Sequence, residues 1–537
     1  MQKSIRDYLL EKIGKPVKLE HPEREEWGDY AFFAKDGEVE IKSDEVIERV
    51  EKVGGFVNIW LQNEWLSNKV SEVIKEGDKY GSTAEGSGKT VVIDYSAPNI
   101  AKRFGIGHLR STIIGQALYN LHQFLGYKVI GDNHLGDWGT QFGKLIYMIK
   151  KTGTEDYTIE NLEKLYVLFH QEPDDDGARK WFKKLEDGDV EAKSIWKKCV
   201  DVSMAEFERI YQILGVKIDE TYGESFYEDI MPEVIREAKE RGITSVSEGA
   251  LVVEVPGFKT PLMLLKSDGG TTYAIRDLAT LRFRKGKWSP KMIIYEVGAE
   301  QTLHFEQVFA VARMLGYAGG DVKLVHTKHG LYLDADGKKF ATRKGKTIKL
   351  EEVLEEAIGR ARKLGCEEEE TAKAVGVGAI KYFDLSHNIS SDIVFDWEKV
   401  MALEGNSGPY LQYTFARTQS VLSKASTQYL TPNPSPNLGE GNQRGEVVFN
   451  DEERSVLRYL YRFPEVVQEA AVRLAPNLVC NYLYELASKY NTFYNKHSIL
   501  SAGSEEARNF RIGLTVAVGQ ILKNGLGLLE IEAPGRM

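Results

Sequence analysis

A short turn with two glycines and a histidine, Gly105-Ile106-Gly107-His108, stands between an apolar run and a helical pattern. Glycine lacks a Cβ atom, so the backbone there can approach a ligand closely. The N–H groups at a helix start, together with the helix dipole, favour a phosphate. His108 can donate a hydrogen bond to a phosphoryl oxygen. The turn is therefore a candidate phosphate site, although a plain helix start with a surface histidine has the same pattern.

Two further groups of residues could bind charged ligands. Tyr273 and Asp277 are four residues apart at the start of a predicted helix, which puts the phenol and the carboxylate on one helical face. Spacing alone equally allows Asp277 to be an acid that favours the first helical turn. Residues 337–347, GKKFATRKGKT, combine glycine with cations. Such a loop can stabilise charge on a phosphate leaving group, or it can be a basic hairpin tip.

A nucleotide-binding sheet is predicted around the glycine–histidine turn. Residues 90–96 form an apolar, β-branched run typical of a buried strand, and a helical pattern and a second strand follow. This βαβ unit is the building block of a parallel sheet. Residues 292–298 and 322–330 add two strands. We therefore expect an α/β fold with a Rossmann-like parallel-sheet catalytic domain, interrupted by a largely helical insertion at about 148–265.

The regions on either side of the sheet have different patterns. About 85 residues before it mix short helices and strands and predict a small α+β N-terminal module. Residues 386–537 predict an all-α bundle, within which 431–446, rich in Pro, Asn and Gly, are expected to form an exposed, mobile loop without function. The stripe of Arg454, Arg458 and Arg462 either meets RNA phosphates or is simply solvated.

The composition excludes several classes of protein. The 537 residues are 42% hydrophobic, which is ordinary for a globular chain, and their net charge of −10 argues against a non-specific polyanion binder. The three cysteines lie far apart, so we expect neither a disulfide framework nor a protein-bound metal site. No stretch approaches the roughly 18 apolar residues of a membrane span. The N-terminus lacks a signal-peptide core, and we expect a cytoplasmic protein.

Longer blocks around these residues resemble one family. Residues 96–118, SAPNIAKRFGIGHLRSTIIGQAL, resemble the signature of class I aminoacyl-tRNA synthetases, and specifically of the arginyl-tRNA synthetases. Further blocks are similar to the same family and occur in family order: GDNHLGDWGTQFGKLIY (131–147), GESFYED (223–229), TTYAIRDLA (271–279), YEVGAEQTLHFEQVF (295–309) and EGNSGPYLQYTFAR (404–417). The resemblance extends over nearly the whole chain.

The resemblance implies roles for particular residues. Tyr273 and Asp277 would bind the arginine guanidinium, which needs a carboxylate for a two-bond fork and a neutral acceptor beside it. Glu224 would add a second negative charge. Two amides, Asn99 and Gln301, would hold the α-amino and carboxylate groups of arginine. The residues implied for ATP and for catalysis on its phosphates are Lys102, Gly105, Gly107, His108, Arg343 and Lys344.

Two positions depart from the family pattern. Gly105 stands where the family usually has histidine, and Phe340 and Ala341 replace the more usual Met and Ser of the second signature loop. These departures keep open the hypothesis of a tRNA-binding paralogue with weak or no catalysis. The glycine–histidine turn itself leaves a second hypothesis open, a small nucleotidyltransferase with the same turn.

The implied layout has three parts. Residues 1–88 would contact the corner of the tRNA, 89–385 would be the catalytic domain, and 386–537 would bind the anticodon. The implied activity joins L-arginine to ATP and then to the 3′ end of its cognate arginine tRNA, releasing AMP and pyrophosphate. Mg²⁺ would accompany ATP. We expect a monomer that does not associate with membranes.

Overall fold

The computed structural model describes residues 4–34, 41–334, 336–338, 349–428, 440–441 and 447–537. The predicted fold class is confirmed: a parallel five-stranded sheet lies between a small α+β module and a helical C-terminal region. Among these described residues, no helix is both long and apolar enough to cross a membrane.

The N-terminal module is a three-stranded antiparallel sheet flanked by helices. The strand order is β1-β3-β2, and Gly54 and Gly55, both at positive φ, make the turn between β2 and β3. Its elements are α1 (Ile5–Ile13), β1 (Tyr30–Phe33), β2 (Ile47–Val53), β3 (Phe56–Leu61) and α2 (Asn63–Glu76).

The central region contains the parallel sheet and two excursions from it. In chain order its elements are β4 (Thr90–Asp94), α3 (Ile106–Phe124), β5 (Lys128–Leu135), α4 (Thr140–Thr152), α5 (Ile159–Gln171), α6 (Asp175–Glu186), α7 (Val190–Leu214), β6 (Glu220–Gly223), α8 (Met231–Glu240), β7 (Thr244–Ser247), β8 (Ala250–Val253), β9 (Leu262–Leu265), α9 (Tyr273–Trp288), β10 (Met292–Tyr295), α10 (Thr302–Met314) and β11 (Lys323–His326). The sheet order is β11-β10-β4-β5-β6, with every pair parallel.

The insertion expected at about 148–265 is not a single excursion. β6 lies inside that range but pairs with β5 as the fifth strand of the main sheet. Helices α4 to α7 therefore form one excursion, and α8 with the small antiparallel sheet β7-β8-β9 forms another. The sequence pattern missed β6 because this strand has four residues, ETYG, with little apolar character.

The last region is helical apart from short strand pairs. Its elements are β12 (Tyr332–Leu333), α11 (Leu350–Lys363), α12 (Glu369–Leu385), β13 (Ile393–Val394), α13 (Trp397–Val400), α14 (Gly408–Gln428), β14 (Glu440–Gly441), β15 (Val447–Val448), α15 (Asp451–Leu460), α16 (Phe463–Arg473), α17 (Asn477–Lys496) and α18 (Glu505–Leu528). Most of the expected loop at 431–446 lies outside the described residues.

The arginine stripe, with Arg454 and Arg458 on α15 and Arg462 just after it, contacts other parts of the protein, so the expectation of a simply solvated stripe was wrong. The Arg458 guanidinium is buried against the N-terminal module, with Nε 2.9 Å from Oδ1 of Asp29. Arg454 pairs with Glu48 of the same module at 3.1 Å. Arg462 lies over the Tyr459 ring. Arg454 and Arg458 therefore attach the N-terminal module to the helical region.

Arg458→Ala should strongly destabilise this junction. Removing one partner leaves Asp29 buried without its cation, which costs about 3–5 kcal/mol in similar pairs. Urea unfolding measures the loss of unfolding free energy. The control is Arg473→Ala, which breaks an exposed pair with Glu469 and should cost no more than about 1 kcal/mol. Equal effects of the two substitutions would contradict a stabilising role for the stripe.

Candidate active site

Two adjoining clefts open at the carboxyl ends of the parallel strands, where open α/β sheets bind ligands. The larger cleft has a volume of about 760 Å³ and the smaller cleft about 410 Å³. Ala97, Asn99, Val297 and Gln301 line both clefts. Ligands in the two clefts can therefore meet across this shared wall.

The loop between β4 and α3, which carries Asn99, is held in a strained conformation. Ser96, Ala97 and Ala101 all have positive φ values, which cost about 1–3 kcal/mol each outside glycine. Their backbone N–H groups donate to side chains of surrounding elements: Ser111 (3.0 Å), Asn133 (3.0 Å) and Ser203 (2.9 Å). Such strain persists only where the surroundings impose it, and it is common where a ligand must be positioned.

The larger cleft contains the start of α3. Gly105, Gly107 and His108 line it, as the phosphate-site hypothesis requires. The Gly105 N–H donates to Nδ1 of His108 at 3.2 Å, which fixes the imidazole against the first turn. The cleft therefore combines a histidine with the N-terminus of a 19-residue helix, whose dipole favours an anion.

The backbone conformation at position 105 does not require glycine. Its φ of −89° and ψ of 163° are extended values that any residue adopts. A requirement for glycine from an unusual backbone conformation is thereby excluded. The difference from the family pattern is chemical: glycine supplies only its backbone to the larger cleft, whereas histidine would also supply an imidazole.

The smaller cleft gathers all five residues implied for arginine: Asn99, Glu224, Tyr273, Asp277 and Gln301. Tyr273 and Asp277 begin α9, and their spacing places both side chains on this cleft. The Tyr273 side chain is exposed, whereas Asp277 is largely buried. A phenol and a carboxylate on one wall match the fork of a guanidinium.

His304 is a residue of this cleft that sequence reasoning missed. Its Nε2 lies 2.5 Å from Oδ2 of Asp277. Burial lowers the pKa of His304, but the Asp277 carboxylate more than compensates, and the pKa rises above its usual value. The imidazole can therefore supply a positive charge to Asp277, and a guanidinium must compete with it.

Glu224 is a second carboxyl group facing the smaller cleft. Burial raises the pKa of Glu224 to about 7, although the nearby Arg276 guanidinium opposes this shift. Arg276 Nη1 lies 3.5 Å from Glu224 Oε2, and its guanidinium lies over the Tyr273 ring. Near neutral pH the carboxyl is therefore divided between its two protonation states, and an added cation would favour the charged one.

A buried ion triad attaches α9 to the sheet. Arg284, which is fully buried, donates from Nε to Asp132 and from Nη2 to Asp94, each at 2.7 Å. Asp94 ends β4, Asp132 belongs to β5, and α9 also carries Tyr273 and Asp277. The triad thus determines where Tyr273 and Asp277 lie relative to the strand ends.

The structure describes only some of the cationic residues that the family resemblance implies for phosphate binding. Lys102 lines neither cleft; its Nζ lies 5.6 Å from the centroid of the Tyr166 ring, in a separate crevice. Its neighbour Arg103 pairs with Glu160 and Glu163. Arg343 and Lys344 lie outside the described residues. Lys338, from the same basic loop, does line the larger cleft.

The fold and the site together define an enzyme class. A family model of class I tRNA synthetases (R), catalytic domain, matches residues 69–397. A model of the DALR anticodon binding domain matches residues 411–537. The parallel sheet, the helix start with its histidine and the two joined clefts belong to that catalytic domain.

Comparisons with individual proteins narrow the class to one family. The chain is 42% identical to an arginine–tRNA ligase of Chloroflexus aggregans, over 92% of this chain and 88% of the relative. It is 38% identical to that of Clostridium botulinum, over 97% and 96%. The fold matches the arginyl-tRNA synthetase structure of Thermus thermophilus with a TM-score of 0.83 at 22% identity, covering 99% of this chain and 98% of the other. The chain therefore belongs to the arginine–tRNA ligase family.

Glu224→Gln should stabilise the protein at pH 8. The pKa of Glu224 in the folded protein is about 7, above its ordinary value near 4.5. Ionisation of this carboxyl therefore lowers the free energy of unfolding as pH rises from about 4.5 to about 7. The amide avoids the cost of a buried charge, and we expect a gain of about 1–3 kcal/mol at pH 8 and almost none at pH 4.5. Urea unfolding at both pH values measures the difference. A gain that is the same at both pH values, or one matched by the exposed control Glu300→Gln, would contradict this assignment.

Proposed function

We propose that this chain activates L-arginine with ATP and transfers it to the 3′ end of its cognate arginine tRNA, releasing AMP and pyrophosphate. The observation that carries the proposal is the shared wall of the two clefts. Arginine in the smaller cleft can present its carboxylate to the α-phosphate of an ATP molecule in the larger one. Reacting groups held face to face need little further activation.

Each cleft contributes a different part of this reaction. Asp277, with Tyr273 beside it and Glu224 opposite, binds the guanidinium. Asn99 and Gln301 hold the α-amino and carboxylate groups at the shared wall, because amides can both donate and accept.

On the nucleotide side, His108 and the first turn of α3 stabilise the charge that develops on the phosphates as pyrophosphate leaves. Arg343 and Lys344, with Lys102 as a further candidate, are the cations proposed to contact the leaving pyrophosphate. Mg²⁺ would accompany the ATP phosphates and neutralise part of their charge.

The tRNA is proposed to contact all three parts of the chain, taken as 1–88, 89–385 and 386–537. In the helical region an open cleft is lined by Tyr413 and Tyr494, with the Arg417 guanidinium over both rings. Exposed aromatic rings with an adjacent cation favour unpaired bases. Tyr490, by contrast, belongs to the core. On the N-terminal module, the exposed pair Phe33 and Phe56 offers a similar surface.

The two other hypotheses fit these observations less well. A binding-only paralogue has no need for a complete set of arginine-binding side chains around one cleft, and a small nucleotidyltransferase has no need for the helical region. We further propose that the enzyme works as a monomer in the cytoplasm, where its substrates are found.

Pyrophosphate exchange into ATP should require both arginine and arginine tRNA. The physical reason is coupling, in which the 3′ end of the tRNA orders the site before ATP reacts. Exchange is measured with each of the twenty amino acids, with and without tRNA. Robust exchange without tRNA would refute the coupling, and no exchange with arginine under any condition would refute the activity itself.

Asp277→Asn should weaken arginine use and leave ATP use almost unchanged. The amide keeps the shape of the side chain but loses a charge-assisted bond of about 1.5–3 kcal/mol, so kcat/KM for arginine should fall by about one to two orders of magnitude. Steady-state arginylation over a range of arginine and of ATP concentrations separates the two effects. An unchanged arginine response would mean that Asp277 has a structural role, in its pair with His304.

A further inference from the structure

The wall of the larger cleft contains a buried carboxylate that the mechanism above does not use. Glu296 follows β10 and is 1% exposed. Its Oε1 lies 2.7 Å from Nδ1 of His329, and the Thr327 hydroxyl donates to its other oxygen. Glu296 and His329 both line the larger cleft. A buried charge is costly unless it is paired, so the imidazole is the partner that makes this carboxylate tolerable.

Three hydrogen bonds hold His329 in place, one at its ring and two at its backbone. Its backbone N–H donates to the Val297 carbonyl at 3.3 Å, and its carbonyl accepts from Ala299 at 2.9 Å. Because Nδ1 faces Glu296, that nitrogen carries a proton, and the ring cannot turn without breaking the pair. Nε2 lies on the opposite edge of the ring, and among the described residues it has no hydrogen-bond partner.

The position of His329 in the sheet indicates which half of ATP it meets. The residue follows β11, the edge strand on the side away from β5 and β6, whose ends line the smaller cleft. In the proposed function the phosphates meet the start of α3, where Gly105, Gly107 and His108 line the cleft. The adenosine half is the part of ATP that still lacks a protein partner.

We propose that His329 binds the adenosine half of ATP through Nε2–H, and that Glu296 is the residue that positions and charges the imidazole. The inference rests on the proposed function, since it names a contact within that ATP site. With the ring protonated, the pair is neutral overall and Nε2 is a donor. Once the ring loses its proton, Nε2 becomes an acceptor and the charge of Glu296 is no longer balanced.

The surrounding charges favour the protonated ring. Burial lowers the pKa of His329, but Glu296 raises it further, and the pKa ends above the usual value. Arg110 on α3 opposes this shift and Asp384 on α12 supports it, while these two form their own ion pair at 3.3 Å. Lys338 also faces the cleft. ATP binding should therefore weaken as pH rises through the pKa of His329.

The test compares His329→Ala, His329→Gln and Glu296→Gln with the wild-type enzyme in tRNA-dependent arginylation from pH 6 to 9. His329→Ala should raise KM for ATP about 10- to 100-fold, the range expected for one charge-assisted hydrogen bond, with kcat changed much less. His329→Gln keeps a donor and should recover part of the affinity without the pH dependence. Glu296→Gln should move the rise in KM for ATP to lower pH. His170→Ala, at an exposed histidine of α5, is the control and should change nothing.

Competition experiments distinguish the two halves of ATP. Inhibition by adenosine should weaken in His329→Ala as much as ATP binding does, and use of pyrophosphate in the reverse reaction should not. Weaker pyrophosphate use with unchanged adenosine inhibition would overturn the proposal, as would an unchanged KM for ATP and an unchanged pH profile at an unaltered melting temperature. A wild-type enzyme without arginine-dependent ATP turnover would instead overturn the proposed function, together with this inference.

Discussion

Arg284 is buried between two aspartates at the ends of neighbouring strands, and the position of the whole smaller cleft depends on this triad. A guanidinium that donates in two directions sets both the rotation and the height of α9 relative to the sheet. Asp277 lies about two turns and Tyr273 about three turns from Arg284 on the same helix, so the triad also fixes the position of these two residues. None of the three ions can be replaced singly without leaving a buried charge uncompensated, and Asp94 also lines the cleft that the triad positions.

The two clefts differ in the polar groups that they offer and in whether those groups are already paired. In the smaller cleft each carboxyl group already has a cation beside it, His304 for Asp277 and Arg276 for Glu224. In the proposed function, arginine would share or displace these pairs. Burial raises the pKa of Glu224, because the charged carboxyl is poorly solvated there. The larger cleft instead offers donors, from the helix start and from histidines, that suit phosphate and nucleoside oxygen and nitrogen atoms. In the proposed function, the two substrates meet at the wall between the clefts.

Local patterns in the sequence predicted the central elements and the pairing of Tyr273 with Asp277, and they failed where distant parts of the chain meet. The family resemblance supplied Asn99, Glu224 and Gln301, the other three predicted residues of the smaller cleft. The apolar run at 90–96 and the helix after it needed no long-range information. Helical spacing placed Tyr273 and Asp277 together, but only the family resemblance gave them a ligand. The arginine stripe of α15 was misread because its acidic partners lie more than 400 residues earlier. His304 and the Glu296–His329 pair were missed for the same reason, since spacing does not show which side chains face each other across a cleft.

The central claim is that the arginine carboxylate attacks the α-phosphate of ATP across the shared wall. Arginine labelled with ¹⁸O in both carboxylate oxygens tests this directly in a single turnover of tRNA arginylation, followed by mass analysis of the AMP released. The claim predicts one ¹⁸O atom in each AMP molecule, because one carboxylate oxygen stays on phosphorus when the tRNA hydroxyl takes the arginyl group. Arginylation with unlabelled AMP would contradict it, since arginine would then have reached the tRNA without forming a bond to the α-phosphate.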